Sequence, residues 1–162
     1  MRKFLSILAV ALMLGSCSDD SEEVYGFSEH EKEVLEALQG TFYGEYSIND
    51  GATVYRTEEI TFTPYSEHKE VVSLFGTFKA CGDATIDEVY TGVETNSICY
   101  LVISTPAYDG QEQTVSFYEY DPANGEVTNK EDKRVLTIID GSTIKLRSYG
   151  TSEDNDITFT KR

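Results

Sequence analysis

The residues with the most chemical potential are charged or hydroxyl-bearing side chains on the apolar parity of alternating segments. In "TVYRTEEITFTP" (53–64), Arg56 and Glu58 share the parity of Val54, Ile60 and Phe62. In "TVSFYEY" (114–120), Glu119 shares the parity of Val115 and Phe117, and in "FYGEYSI" (42–48) Tyr46 falls with Phe42 and Ile48. Successive strand side chains point to opposite faces. A charge on the apolar parity therefore enters the interior, where it must be paired or reach water. Tyr46, Arg56, Glu58 and Glu119 are the candidates for a polar-lined ligand pocket at the mouth of a β-barrel. Two other readings compete at these positions: strand ends where the charges emerge into solvent, and a bulge that reverses the parity.

The rest of the chemical inventory is thin. Of the two histidines, His30 stands among glutamates in "SEHEKEVLEALQG" and reads as solvated, and His68 lies in "PYSEHKE", read as a loop between strands. Neither stands in a pattern that sets a base against a nucleophile. No nucleophile elbow, phosphate-cradling glycine loop or His-Glu-x-x-His run is present. The acidic turn "SEDNDI" (152–157) lacks the glycine and terminal glutamate of a calcium loop. No catalytic residue, no cofactor and no metal site follow from this inventory, which leans away from an enzyme. The chain carries 13 basic and 29 acidic side chains, a net charge of −16. Such acidity repels phosphates and argues against a nucleic-acid partner.

The elements that would hold the candidates are mostly strands. One helix is expected in "SEHEKEVLEALQG", with Ser28 and Glu31 as a capping box and Val34, Leu35 and Leu38 as an apolar stripe. After it come about eight or nine short strands, separated by turn signals such as "NDG", "DPANGE" and "IDGS", with no helix between strands. Parallel pairing needs long crossovers, so the sheet is expected to be antiparallel. Its strand count favours an all-β meander barrel with one short N-terminal helix; the alternative is a β-sandwich. In the last hairpin Ile144 and Leu146 are expected to face in and Lys145 and Arg147 out.

The N-terminus reads as an address. Arg2 and Lys3 precede an apolar run, Phe4 to Leu14, too short to span a bilayer. Gly15, Ser16 and Cys17 follow, and "LGSC" resembles the bacterial lipobox, in which the chain is cut before a cysteine whose thiol is then diacylated. Residues 1–16 are thus expected to be a lipoprotein signal peptide and Cys17 the lipidation site. Residues 17–27 would be an acidic tether and 28–162 the barrel domain. Two or more acyl chains hold a protein stably at a membrane surface, so the implied partner is the membrane, through an N-terminal lipid. "SDDSEE" after Cys17 resembles the export signal of surface-exposed Bacteroidetes lipoproteins, which implies the outer membrane and cell surface of a Gram-negative bacterium. The two remaining cysteines, Cys81 and Cys99, form an even pair in an oxidising compartment and are expected to be disulfide-bonded, a bridge that would contribute about 3 kcal/mol.

A helix running straight into "GTF" (40–42), then a meander ending in "FTKR", resembles the lipocalin pattern, and the chain as a whole resembles the lipocalin-like lipoproteins of Bacteroidetes. Phe42 stands where lipocalins carry tryptophan, and the chain has no tryptophan. The family's arginine packed on that ring has Arg147 as its candidate here. The resemblance implies a surface-anchored, non-catalytic barrel that binds a small ligand. A competing reading is a protein or glycan interaction module. It would use outward tyrosines such as Tyr43, Tyr55, Tyr118 and Tyr120 among the chain's eleven.

Overall fold

A computed structural model describes residues 26–48, 51 and 53–162. The expected signal peptide, Cys17 and nearly all of the tether lie outside the described residues. Helix α1 (Glu29–Leu38) leads directly into β1 (Gly40–Ile48), followed by β2 (Thr53–Ser73), β3 (Gly76–Tyr90), β4 (Val93–Ser104), β5 (Thr114–Tyr120), β6 (Val127–Asp140), β7 (Thr143–Ser148) and β8 (Ile157–Lys161). A single 3-10 turn, Glu153–Asn155, sits between β7 and β8. Each strand pairs antiparallel with the next and β8 returns to β1, so the sheet is a closed eight-stranded meander barrel. The closed meander barrel is consistent with a lipocalin-like fold, and closure excludes the sandwich.

α1 forms as its pattern dictates. Ser28 Oγ accepts from the Glu31 N–H at 3.2 Å, and the Ser28 N–H donates to Glu31 Oε2 at 2.8 Å. This reciprocal cap satisfies two donors that a helix start otherwise leaves open. Val34, Leu35 and Leu38 are buried and plug the barrel end from which β1 departs. Phe27, expected to end the tether, packs against the same core. Above the plug the interior fills with Phe42, Ile60, Phe62, Leu101, Val115, Phe117, Ile144, Leu146 and Phe159.

The seam that closes the barrel is short: Phe42 pairs with Lys161, Tyr43 with Thr160 and Gly44 with Phe159. The Phe159 ring lies flat against Gly44, where a Cβ would fall 2.7 Å from ring carbons. Lys161 Nζ sits 5.5 Å from the Phe42 ring centroid. The cation over this ring therefore comes from the last strand and not from Arg147. Arg147 does leave the barrel wall outward but is buried there, held by Glu112, by Asp156 at 3.0 Å and by the Thr151 carbonyl at 3.1 Å.

β2 and β3 are longer than the barrel needs. Pairing of β3 with β4 ends at Gly82 and Leu101, while β2 and β3 continue to pair with each other from Lys69 and Ala80 to Ser73 and Gly76. The bend falls at Pro64 and Gly82, where a Cβ on Gly82 would sit 2.7 Å from the Thr63 carbonyl oxygen. Beyond it the hairpin folds back as an arm across the outer face of β4 and β5. Phe78 stacks on Tyr118 at 4.1 Å and meets Tyr100 edge-on at 6.3 Å. His68 thus lies within β2, not in a loop.

The expected disulfide is absent: Cys81 and Cys99 are separate, buried thiols. The register explains why. Cys99 stands opposite Ala84, three residues along β3 from Cys81. At about 3.3 Å per residue that offset is about 10 Å, beyond the roughly 7 Å over which two Cα atoms can be bridged.

Two outcomes follow. Alkylation in denaturant without reductant should modify both Cys81 and Cys99, read by intact mass; two modifications that appear only after reduction would contradict the register. Gly44→Ala should push Phe159 off its seat and destabilise the barrel by about 1–3 kcal/mol, read from urea denaturation.

Candidate functional site

The barrel interior changes character halfway along its axis. The half next to α1 is apolar, and the half toward the β3–β4, β5–β6 and β7–β8 connections is charged. Glu58 is the pivot. Its side chain has no solvent exposure, because β2 carries it inward opposite Gly44, one step above Ile60. Three donors converge on its carboxylate. Arg134 Nη1 donates to Oε1 at 2.6 Å, and Tyr46 Oη and Arg56 Nη2 donate to Oε2 at 2.7 and 3.1 Å. Arg56 also pairs with Glu88 at 2.5 Å, and Arg134 reaches Asp132 through Nε and Nη2 at 3.0 and 2.8 Å. The Arg134 guanidinium lies 5.2 Å from the Phe117 ring centroid and that of Arg56 lies 4.4 Å from the Tyr46 ring centroid.

Burial works against the charge on Arg134, but Glu58 and Asp132 outweigh it, and the group is held more strongly protonated than a free guanidinium. Burial, reinforced by Glu58, raises the Tyr46 phenol and keeps it a donor. Among the described residues one buried side-chain polar atom, Arg56 Nε, has no hydrogen-bond partner.

Beside this network an opening of about 190 Å³ reaches the mouth. Ile86, Cys99 and Phe117 provide its apolar surfaces, and Arg56, Glu88, Glu119, Lys130, Asp132 and Arg134 its charged ones. Glu119 faces inward opposite Cys99 and accepts from Asn129 Nδ2 at 3.3 Å. Burial, with Glu119 and Asp132 nearby, pushes the Cys99 thiol up to about 12, so it lines the space as a neutral group.

All four residues singled out in the sequence lie on this half. Tyr46, Arg56 and Glu58 are in direct contact, and Glu119 lies across the opening from them. A parity-reversing bulge does occur at this end, but between Val54 and Arg56: Tyr46 pairs with Arg56 and Ser47 with Val54. Val54 is thereby turned outward and exposed, while Arg56 and Glu58 stay inside. Arg134, Glu88 and Asp132 were not singled out. Glu88 and Arg134 carry a signal: they fall on the parity of Ile86 and Leu136. Asp132 lies in "NKEDK", a charged stretch that reads as solvated turn.

The outward tyrosines do not form an open platform. Tyr118 and Tyr120 lie under the β2–β3 arm, with Tyr120 stacked on buried Tyr100 at 4.0 Å. Tyr43 is half-buried beneath the Arg162 guanidinium at 3.7 Å. Tyr55 is exposed, edge-on to Tyr90.

At the opposite end, His68 Nε2 meets Glu31 Oε1 at 2.8 Å and Cys81 Sγ lies 3.6 Å from the same oxygen. No sequence signal joins these three, which stand far apart along the chain. Comparison with protein families, with curated proteins and with solved structures returned no match.

Removing one partner of a buried ion pair strands the other, at a cost of about 3–5 kcal/mol. Glu58→Leu and Arg134→Leu should each destabilise the barrel by about that amount. The double variant should cost clearly less than the sum, read from urea denaturation; strict additivity would mean that the two do not share one interaction.

Proposed function

We propose that this chain is a surface-anchored lipoprotein whose lipocalin-like barrel captures a small polar ligand at its open mouth and performs no catalysis. The reading rests on one observation above the rest: a 190 Å³ opening with apolar patches and charged walls, set over an ion network centred on Glu58. For scale, an apolar cavity of about 150 Å³ is enough for a benzene molecule. Arg134 gives three N–H donors to Glu58 and Asp132, and Arg56 gives its Nη2 to Glu58 and Glu88, so these walls are held in place before a ligand arrives. Arg56 Nε supports a ligand oxygen, and Glu119 supports an ammonium or hydroxyl donor. Ile86 and Phe117 support a compact apolar face between them. Such a ligand is a small zwitterion or a hydroxylated molecule, not a lipid.

The anchor reading rests on "LGSC" and the acidic run after it, with a membrane lipid as the partner and the outer surface of a Gram-negative cell as the location. Among the described residues no helix is long and apolar enough to cross a membrane.

Native mass spectrometry of the full chain purified from its own cell envelope should show a retained small mass, absent from Glu119→Ala with the circular dichroism unchanged. A ligand-free mass in the unmodified protein, or the same retained mass in both Glu119→Ala and Arg56→Ala, would overturn the ligand reading. Cys17→Ala should lose incorporation of labelled palmitate and move the chain out of the membrane fraction.

A further inference from the structure

The closed end of the barrel holds a second cluster unconnected with the mouth. We propose that Glu31, His68 and Cys81 form a zinc site that ties the helical plug to the barrel wall. The three come from α1, β2 and β3, and their donor atoms all lie within 4.8 Å of one another. They are a carboxylate oxygen, an imidazole nitrogen and a sulfur. That mixture suits zinc and other borderline divalent metals, and does not suit magnesium or calcium, which take oxygen ligands.

The spacing fits. Tetrahedral zinc with bonds of about 2.0–2.1 Å to nitrogen and oxygen and about 2.3 Å to sulfur separates S from O by about 3.6 Å and N from O by about 3.3 Å. Cys81 Sγ stands 3.6 Å from Glu31 Oε1, and His68 Nε2 stands 2.8 Å from it. The edge from sulfur to oxygen already matches, the edge from nitrogen to oxygen opens by about half an ångström, and the third edge, from Sγ to Nε2, is within 4.8 Å and settles to about 3.6 Å around the metal. Cys81 is fully buried, whereas the side chains of His68 and Glu31 keep 10% and 12% of their exposure. That exposed side is the way in for a metal and for water as its fourth ligand.

The surroundings orient the donors as outer-shell partners of a metal site do. Ser28 holds Glu31 Oε2 through its N–H at 2.8 Å and its hydroxyl at 3.0 Å, which turns Oε1 toward His68 and Cys81. The Phe27 ring stands edge-on to His68 with centroids 4.7 Å apart and fixes its plane. A backbone N–H from Ile103 points at the Cys81 sulfur and favours the thiolate. Without metal the sulfur keeps its proton, since burial and the neighbouring Glu31 push the thiol up to about 12. On binding, the Cys81 S–H bond breaks, its proton passes to solvent, and Sγ, neutral His68 Nε2 and Glu31 Oε1 each donate an electron pair to the metal. Two facing groups that would otherwise repel as anions are then neutralised by one dication.

The test uses the full chain stripped with a chelator and dialysed against zinc, then cobalt. One zinc per chain should remain by elemental analysis, and the cobalt form should show a thiolate-to-metal charge-transfer band in the near ultraviolet. Cys81→Ser and His68→Gln should each weaken binding by about a hundredfold or more. Cys81→Ser should also remove the band, while Cys99→Ser keeps both. Zinc should raise the melting temperature of the unmodified chain and of Cys99→Ser alone. No retained metal in a folded chain, or equal retention by Cys81→Ser and His68→Gln, would overturn the site. Neither result bears on ligand capture at the mouth, which is read from a different mass and different variants.

Discussion

A carboxylate with no solvent exposure stands in the middle of this barrel, and the open half of the molecule is arranged around it. An unpaired charge in such a place is not tolerated. Glu58 is accommodated because two arginines from opposite walls, β2 and β6, and a tyrosine from β1 all reach it. Arginine suits this task because its planar fork serves two acceptors at once and never loses its proton. Each fork then requires a second anion, which Glu88 and Asp132 supply. The chain of compensation runs outward until it meets water at the mouth. Polarity at this end is thus a consequence of one buried acid, not a coincidence of strand ends.

The closed half obeys a different constraint. A meander of eight strands leaves its interior open at both ends unless something covers them. Here α1 covers one end with Val34, Leu35 and Leu38, and the aromatic rings above it fill the space that remains. The β2–β3 arm performs a similar duty outside. Tyr100, Tyr118 and Tyr120 would expose a large aromatic surface on β4 and β5, and the folded-back hairpin covers it with Phe78 and Val71. A single long hairpin therefore converts what reads as a binding platform into a second small core. Its base also delivers His68 to the helix cap.

Much of this was legible because strand alternation is a local rule. Parity alone put Arg56, Glu58 and Glu119 inside, and an antiparallel meander of about eight or nine strands with one helical lead-in follows from turn signals and the lack of crossovers. What stayed hidden depends on register, which no single segment encodes. The bulge at Tyr55 turns Val54 outward and cannot be seen from β2 alone. Arg134 belongs to the site because β6 faces β2 across the barrel. "PYSEHKE" looks like a loop because its proline and polar run suggest one, yet the hairpin continues past the bend. The cysteines show the same limit. Compartment and count argued for a bridge, and the offset of three residues between strands forbids it.

Buried ion pairs seldom add stability over well-packed apolar residues of similar volume. Phe42, Phe62, Phe117 and Phe159 show that this chain can fill its interior with rings, and the same could have been done around Glu58. A network that contributes little net stability, yet lines an opening to solvent, is better understood through what it orients. Tyr46, Arg56 and Arg134 are fixed by Glu58 before anything enters, so a ligand meeting them does not have to order them, and the entropic cost of binding falls accordingly. Any molecule entering the opening would meet donors and acceptors whose directions are already chosen. By this reasoning the buried carboxylate acts as the keel of the mouth. It determines where Arg56 and Arg134 point and, through them, Glu88 and Asp132.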